Sequence, residues 1–476
     1  MGNNVLVDVA IIGTGSAGMR AYRQARRYTN HIALIEGGEY GTTCARVGCM
    51  PSKLLIAPAE AAHRAQSLAE FGINIDKVEV LPEEVMKRVR NERDRFVGFI
   101  QQAVETFDEA HRYQAYASFV DDHHLQLTDG TLIEAKTIVI AVGSTPFIPD
   151  YLSELGDKVV TSDQLFYWNT LPRSVAVVGT GIIGLELGQA LHRLGVRVRI
   201  FSRRTTVGPL TDPYIKQYAL DTFQSEMPYS ENSRILSTEL NSENGVNISY
   251  QDSSGATHLE SFDCVLAATG RRPNLDKLSL EKTSLSLNEK GIPEFNPYTM
   301  QCGQSHIFIA GDATGQLELL HEAGDEGNIA GDNAGRYPAV VQRQRRCPLA
   351  VMFTEPQIAL VGRTHQELIE SNTPFVTATA DFEDQGRARV MLKHHGKMNL
   401  YASPETGQLL GAEMIGPEHE HLAHELAWCI QRGLTVAEML QLPYYHPTVE
   451  EGMADGLAEL LEQLGGDVNL LPPELK

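Results

Sequence analysis

The chain has 476 residues, of which 42% are hydrophobic and 21% charged, and its formal net charge is −21. This length permits several domains with substantial cores, and the composition is that of a globular protein. The negative charge argues against nucleic acid and anionic membranes as partners, because both present phosphates that attract basic surfaces.

Cysteine usage and the N-terminus indicate the compartment. Six cysteines in a chain of this length are too few for a secreted disulfide scaffold, which favours a reducing environment. The apolar stretch at 5–12 ends in glycines instead of a cleavage site, and no apolar run reaches the roughly 18 residues of a membrane span. We therefore expect a cytoplasmic enzyme.

The first unit begins with an apolar run at 9–12, followed by a helical stretch at 19–28 and a second apolar run at 32–35. Its GxGxxG motif is formed by Gly13, Gly15 and Gly18. Glu36 ends the second run, at the distance where an acidic residue binds a ribose diol. Strand, glycines, helix and acid together predict an adenine dinucleotide site, with the pyrophosphate at the helix N-terminus.

The stretch GTTCARVGCMPSK at 41–53 carries Cys44, Cys49 and Lys53. In a regular helix, positions five apart have Cα atoms about 8 to 9 Å apart, which is too far for a disulfide. Gly48 supplies the freedom for a distorted turn that brings the sulfur atoms together. The pair is predicted to serve redox chemistry. Buried packing thiols or half of a zinc site are the alternatives, although no second CxxC or histidine pair lies nearby.

The next elements are helices predicted at 54–69 and 82–107 from apolar positions that recur every three and four residues. The segment 123–133 is predicted to form a hairpin that turns at Asp129 and Gly130. A buried strand at 137–142 then runs into Gly143. We place a domain boundary near residue 150.

A second unit of the same kind has strands predicted at 175–178 and 196–201 around a helix at 185–194. Its motif glycines are Gly179, Gly181 and Gly184. Where the first unit has Glu36, this unit has Ser202, followed by Arg203 and Arg204. A neutral residue followed by arginines suits a 2′-phosphate, so the pattern favours NADP(H) over NAD. The alternative is that both arginines are solvated surface charges.

The remaining segments supply further polar candidates. The run at 262–268 leads into Gly270, and the run at 306–310 leads into Asp312 and Ala313. Asp312 is placed to bind the sugar-alcohol chain of the first cofactor, or else to cap the following helix. From 348 we expect strands around 390–400 and 409–414 and helices from about 422 and 436. His446 lies near the end, fixed by the proline that follows it.

The motifs GxGxxG, CxxxxCxPSK, a second GxGxxG, ATGRRPN, AGDAT, FTEP and HPTxxE occur in this order. Together they resemble the flavin-dependent pyridine nucleotide-disulfide oxidoreductases, and are most similar to dihydrolipoamide dehydrogenase. The resemblance implies an α/β fold with two Rossmann-like dinucleotide-binding domains and a C-terminal α+β dimerisation domain. The implied divisions are an FAD-binding domain at 1–150, an NAD(P)-binding domain at 151–275, a second part of the FAD domain at 276–347 and the dimerisation domain at 348–476.

The resemblance also implies roles for individual residues and no metal. FAD would bind at Gly13, Gly15, Gly18, Glu36, Gly143, Asp312 and Ala313, and the nicotinamide cofactor at Gly179, Gly181, Gly184, Arg203, Arg204 and Gly270. Cys44 resembles the interchange thiol and Cys49 the thiol that contacts the flavin, while Lys53, with Glu186 as its partner, favours the thiolate. His446, oriented by Glu451, resembles an acid/base that comes from the other subunit of a homodimer.

The implied reaction is oxidation of dihydrolipoamide, free or on a lipoyl domain, through a Cys44–Cys49 disulfide and FAD to NAD(P). The alternatives are NADPH-dependent reduction of another small disulfide, such as glutathione disulfide, and a mainly binding role in an acyltransferase complex. Mercuric and large thioredoxin reductases are set aside because the sequence ends without a cysteine pair. Arg46 stands where the family usually has asparagine, and we hypothesise that it shifts the thiol pKa or favours an anionic substrate.

Overall fold

A mixed sheet carries the first glycine-rich motif, a parallel sheet carries the second, and an antiparallel sheet forms the C-terminal part of the molecule. The computed structural model describes residues 4–467. The expectation drawn from the cysteine-free C-terminus therefore falls partly on residues that lie outside this range. Between residues 4 and 467, no helix combines the length and the apolar character needed to cross a bilayer.

The N-terminal region builds a sheet around β1. Its strands are β1 (Asn4–Ile12), β2 (Ile32–Glu36), β3 (Arg112–Gln114), β4 (Ala117–Phe119), β5 (His124–Leu127), β6 (Leu132–Ile140) and β7 (Ser144–Pro146). Its helices are α1 (Ser16–Ala25), α2 (Thr43–Arg46), α3 (Cys49–Ser67) and α4 (Pro82–Glu105). Strand β1 lies parallel to β2 and β6, so the loops after these strands share one edge of the sheet. The hairpin predicted to turn at Asp129 and Gly130 is confirmed as β5 and β6.

The second region repeats this arrangement around β9. Its strands are β8 (Val159–Val160), β9 (Ser174–Val178), β10 (Arg197–Phe201), β11 (Tyr229–Ser230), β12 (Arg234–Leu240), β13 (Val246–Gln251), β14 (Thr257–Phe262), β15 (Cys264–Ala267) and β16 (Arg271–Pro273). Its helices are α5 (Asp150–Ser153), α6 (Ser162–Leu165), α7 (Ile182–Arg193) and α8 (Pro213–Glu226). Strand β9 pairs in parallel with β10 and β15, and β7 and β16 form a ribbon between the two regions.

The chain then returns to the first sheet. Strand β17 (Ile307–Ile309) pairs in parallel with β6, and helix α9 (Leu320–Arg336) packs on α1. A short 3-10 turn at Gly311–Thr314 follows β17. Asp312 therefore lies at the same sheet edge as the loop that follows β1.

The C-terminal region is a sheet in the order β18-β19-β22-β21-β20 with helices packed against it. Its strands are β18 (Leu349–Met352), β19 (Gln357–Gly362), β20 (Val376–Asp381), β21 (Lys397–Ala402) and β22 (Leu409–Gly416). Its helices are α10 (His365–Glu370), α11 (Gly386–Val390), α12 (His419–Arg432), α13 (Val436–Met439) and α14 (Gly452–Gln463). Six elements are additions to those predicted from the sequence: strands β18, β19 and β20 and helices α10, α11 and α14.

Two predicted boundaries are wrong in an informative way. The strand expected around 390–400 begins only at Lys397, because α11 ends at Val390 and Leu392 adopts a left-handed φ of 55°. The helix expected from residue 54 begins at Cys49 instead. The second cysteine is therefore part of the first turn of that helix, where free backbone N–H groups point outward.

Candidate active site

The two cysteines of the 41–53 stretch lie on two different helices. Cys44 belongs to the single turn α2, whose Thr42 side chain caps it by accepting from the Ala45 amide, and Cys49 begins α3. The break falls at Gly48, with φ −125° and ψ −118°. A Cβ at Gly48 would lie 3.0 Å from the Thr43 carbonyl oxygen and 3.2 Å from the Cys44 Cα. The expected distortion is present, and glycine allows the two turns to approach.

The thiols of Cys44 and Cys49 influence one another, and their pKa values shift in opposite directions. The neighbouring Cys49 thiol and burial raise the pKa of Cys44 above its usual value. At Cys49 the neighbouring Cys44 thiol, the Lys53 charge and the Cys49 backbone amide outweigh burial and lower the pKa to about 7. Cys49 lies in the first turn of α3, where the helix N-terminus favours an anion, so it is the stable thiolate of the pair.

Lys53 is held one helical turn after Cys49 by a buried acid. Its Nζ lies 2.9 Å from Oε1 and 2.8 Å from Oε2 of Glu186, a residue of α7 that is 3% exposed. Ser52 Oγ also donates to Glu186 Oε2, at 2.9 Å. The predicted partnership of Lys53 with Glu186 is present in the structure, between residues 133 positions apart.

The first glycine motif leaves room for a dinucleotide. An added Cβ at Gly15 would meet no protein atom within 4 Å, so the backbone is open to a ligand there. Glu36 accepts from the backbone amides of Thr14 and Gly38, both at 2.9 Å, and from Thr14 Oγ1 at 2.7 Å. These contacts fix the carboxylate at the sheet edge beside the motif. The residues present therefore fit the adenosine half of FAD.

A second polar group completes this edge of the sheet. Asp312 Oδ2 accepts from Ser144 Oγ at 2.8 Å, and Arg271 binds both Ser144 Oγ and the Ser144 carbonyl at 2.8 Å. Gly143 precedes this serine with a left-handed φ of 67°, and Ala313 is fully buried beside Asp312. Ser144 and Arg271 are additions to the predicted site. Their positions, directly after the glycines of GSTP and TGRRP, are the signal in the sequence.

In the second dinucleotide-binding unit, strand β10 is followed by a neutral side chain. Ser202 is 7% exposed, and its hydroxyl lies 3.2 Å from Thr180 Oγ1 and 3.3 Å from Thr206 Oγ1.

The side chains of Arg203 and Arg204 are exposed and, between residues 4 and 467, have no acidic partner within salt-bridge distance. Gly181 again leaves open space, while the Gly270 carbonyl is taken by the Phe147 amide at 2.9 Å. Two exposed cations thus lie just after β10.

His446 and Glu451 form the last pair. His446 Nδ1 lies 2.9 Å from Glu451 Oε1, and Glu451 Oε2 accepts from the Thr448 amide at 3.0 Å. The His446 side chain is 83% exposed. Within the described part of one chain, no hydrogen bond joins it to Cys44 or Cys49. The structure therefore brings together the cysteines, Lys53 and Glu186, and leaves the histidine on an outer surface.

Arg46 is bound to the loop before the cysteines. Its Nη1 lies 2.6 Å from Oε2 of Glu39, and its Nη2 donates to the Tyr40 carbonyl at 2.7 Å. A Cβ at Gly41 would lie 2.9 Å from Arg46 Nη2, so the guanidinium packs on this glycine. The charge of Arg46 is balanced by Glu39. This pairing argues against the part of our hypothesis in which Arg46 shifts the thiol pKa.

Comparison with known proteins identifies the family of the chain. Residues 7–327 match the pyridine nucleotide-disulphide oxidoreductase family, and residues 349–456 match the dimerisation domain of that family. The chain belongs to this family. The predicted fold, with dinucleotide-binding domains and a C-terminal dimerisation domain, is confirmed. The family uses FAD and a pyridine nucleotide, and the dimerisation domain supports a homodimer.

Individual relatives span several named activities. The chain is 28% identical to dihydrolipoyl dehydrogenase 3 of Haloarcula marismortui, over 96% of this chain and 97% of the relative. It is also 28% identical to the mercuric reductase of Staphylococcus aureus, over 94% and 81%. The solved structure of the HOCl-induced flavoprotein disulfide reductase RclA from Escherichia coli superimposes with a TM-score of 0.79 at 21% identity, over 95% of this chain and 99% of that one. The family member described here is thus a flavin-dependent disulfide oxidoreductase.

Proposed function

We propose that this oxidoreductase is a dihydrolipoyl dehydrogenase that oxidises dihydrolipoamide and prefers NADP over NAD as the acceptor. The observation that carries the proposal is the thiol pair on α2 and α3, in which Cys49 is the stable thiolate beside Lys53. Relatives that cover nearly the whole chain carry the name dihydrolipoyl dehydrogenase, which supports this substrate class.

The cysteine chemistry follows from the opposite pKa shifts of the two thiols. A substrate thiolate attacks Cys44 in the Cys44–Cys49 disulfide, and the bond between the cysteines breaks with its electron pair on Cys49. Cys49 is the better leaving group because its pKa is the lower of the two. The second substrate thiolate then attacks the substrate sulfur bonded to Cys44. The cyclic disulfide product leaves, and the two electrons remain on the cysteines.

Proton transfer is assigned to His446 of a second copy of the chain. His446 Nδ1 is engaged by Glu451, so Nε2 is the atom left for proton exchange. It takes the proton of the attacking substrate thiol, and the proton of the second substrate thiol passes to the Cys44 sulfur as that sulfur is released. The exposure of His446 on the dimerisation domain supports a role at the site of a neighbouring subunit, and a monomer would then lack a complete site.

The remaining residues hold the cofactors. Bound FAD would supply the two-electron redox chemistry that connects the cysteine pair to the nicotinamide. Asp312, with Ser144 and Arg271 behind it, is the side chain for the sugar-alcohol part, and Glu36 is the side chain for the adenosine ribose. Arg203 and Arg204 supply two exposed cations for a 2′-phosphate next to the neutral Ser202.

Steady-state turnover tests the proposal with dihydrolipoamide, NAD and NADP in one direction and glutathione disulfide, NADH and NADPH in the other. We expect kcat/KM for dihydrolipoamide to exceed that for glutathione disulfide by at least about tenfold, about 1.4 kcal/mol in transition-state binding. Cys44→Ser is the inactive control. Faster turnover of glutathione disulfide would overturn the dihydrolipoamide assignment.

A second candidate is an NADPH-dependent reductase of another small disulfide, such as glutathione disulfide. The observation in its favour is the pair of exposed arginines after Ser202, because a phosphate-binding site suits an enzyme that draws on NADPH. Arg203→Ala tests the nicotinamide preference itself. We expect the ratio of kcat/KM for NADPH over NADH to fall by about tenfold, the loss of one charge-assisted contact, and an unchanged ratio would remove the assignment.

A further inference from the structure

Three polar side chains of α7 grip one short segment of the dimerisation domain. Glu186 Oε1 accepts from the Phe353 amide at 2.9 Å. Gln189 accepts from the Glu355 amide at 2.9 Å and donates to the Glu355 carbonyl at 2.8 Å. Arg193 donates to the same carbonyl at 3.0 Å and to Glu355 Oε2 at 2.9 Å. Residues three, four and seven apart share one face of a helix, so α7 presents all three to this segment.

The inner end of the segment covers Lys53. The Lys53 Nζ lies 4.6 Å from the centroid of the Phe353 ring, in addition to its ion pair with Glu186. An ammonium over an aromatic face is attracted by the ring quadrupole, and this attraction is strongest where water is excluded. Lys53 is thus fixed on one side by a carboxylate and on another by the ring, and the Phe353 amide in turn fixes the carboxylate.

The outer end of the segment is anchored by ion pairs. Glu355 Oε1 lies 2.6 Å from Lys393 Nζ, and that ammonium lies 3.6 Å from Glu418 Oε1. Burial raises the pKa of Glu355, but Lys393 and Arg193 outweigh burial and hold it below the ordinary value. Glu355 is therefore charged at neutral pH. Breaking one partner of such a partly buried network costs more than breaking an exposed surface pair.

We infer that Phe353 is a positioning residue for Lys53, and that the segment 353–355 links the placement of the Lys53 ammonium beside Cys49 to the dimerisation domain. The ring keeps the flexible lysine side chain from swinging away from the first turn of α3. This inference rests on the proposed use of Cys49 as a thiolate, and it requires no particular substrate or nicotinamide.

The test is the pH dependence of Cys49 alkylation in the reduced holoprotein, followed with iodoacetamide from about pH 5 to about pH 9, a range that spans the thiol titration. Trypsin cleaves after Arg46, so the peptides that carry Cys44 and Cys49 separate and are quantified individually by mass spectrometry. Phe353→Leu removes the ring face and keeps an apolar side chain. We expect the Cys49 midpoint to rise by about half a pH unit, with about a twofold lower alkylation rate at pH 7.

A double-substitution cycle separates action through Lys53 from general disturbance. In a Lys53→Met background, Phe353→Leu should leave the Cys49 midpoint where Lys53→Met alone puts it. Phe353→Tyr, which keeps the ring, should restore the wild-type midpoint. Phe375→Leu is the matched control, because Phe375 is a half-buried ring of the same domain that packs on His365 and Tyr401 instead.

The outcomes decide between the inference and a merely structural role. An unchanged midpoint in Phe353→Leu, or an equal shift with and without Lys53, overturns it. If Phe353→Leu does not accumulate as folded flavoprotein, Phe353→Met takes its place in the same cycle and the same results decide. Failure to turn over dihydrolipoamide would refute the proposed substrate and leave the titration intact, so the two ideas fail separately.

Discussion

The two glycine-rich units repeat the same backbone and differ in charge. Gly13 and Gly179 have φ values of 110° and 112°, and a Cβ added to them would lie 2.3 Å from the Ala141 oxygen and 2.2 Å from the Ala268 oxygen. A threonine follows each of these glycines, and Thr14 binds Glu36 as Thr180 binds Ser202. The two units therefore share a backbone that depends on glycine and differ where the second strand ends, with the carboxylate of Glu36 in one and the hydroxyl of Ser202 in the other.

The largest expected effect comes from substitutions that disturb the backbone conformation shared by the two units. Gly13→Ala and Gly179→Ala each force a Cβ into a carbonyl at a left-handed φ, and we expect each to lower the unfolding midpoint by about 5 °C or more. Gly98→Ala is the control, since a Cβ there meets nothing within 4 Å and lies inside α4. Calorimetry on the purified variants measures the effect. Equal midpoints for Gly13→Ala and Gly98→Ala would show that the close approach to Ala141 is not needed.

The next largest effect is expected from the middle glycine of each motif, where a substitution should weaken cofactor binding without affecting folding. Gly15→Ala and Gly181→Ala place a methyl group in space that is free of protein atoms, so the unfolding midpoint of the apoprotein should stay near that of the wild type. A bound pyrophosphate would meet that methyl group. We expect Gly15→Ala to weaken FAD retention and Gly181→Ala to raise KM for the nicotinamide, each by about tenfold.

Flavin content after dialysis measures the effect of Gly15→Ala, and steady-state kinetics measure the effect of Gly181→Ala. Each variant should affect one cofactor and spare the other, because the motifs belong to separate sheets. A Gly181→Ala protein that loses FAD as readily as Gly15→Ala would contradict the assignment of one dinucleotide to each unit.

Giving the second unit the carboxylate of the first should change only the preference between the two nicotinamide cofactors. Ser202→Glu copies the Thr14–Glu36 arrangement into the second unit, where Thr180 is available to donate. The new carboxylate repels a 2′-phosphate and accepts from a 2′-hydroxyl, so the ratio of kcat/KM for NADPH over NADH should fall by about ten- to a hundredfold. Ser202→Ala, which removes the hydroxyl without adding charge, is the control. A fall of equal size in Ser202→Ala would assign the effect to lost packing around Thr180.

Local sequence signals predicted the parts of this comparison that depend on neighbouring residues. Both glycine motifs, Glu36, Ser202 and the break at Gly48 follow from spacing and from the backbone freedom of glycine. The contact of Lys53 with Phe353 joins residues some 300 positions apart in sequence, and no local pattern specifies which ring will cover the lysine. Helix α14 did carry a signal, because its buried residues Met453, Leu457 and Leu460 recur at helical spacing.

The smallest expected effect concerns Arg46, whose guanidinium is already paired with an acid. Arg46 is balanced by Glu39 at 2.6 Å, so Arg46→Asn should move the Cys49 alkylation midpoint by less than about 0.3 pH unit. Glu39→Gln leaves the guanidinium unbalanced and should lower the midpoint slightly, whereas Lys53→Met should raise it by about one unit. Fragment ions distinguish Cys44 from Cys49 where the tryptic site at Arg46 is lost. A rise of a full unit in Arg46→Asn would show that its charge reaches the thiolate despite Glu39, and would make Arg46 a second cation of the redox pair.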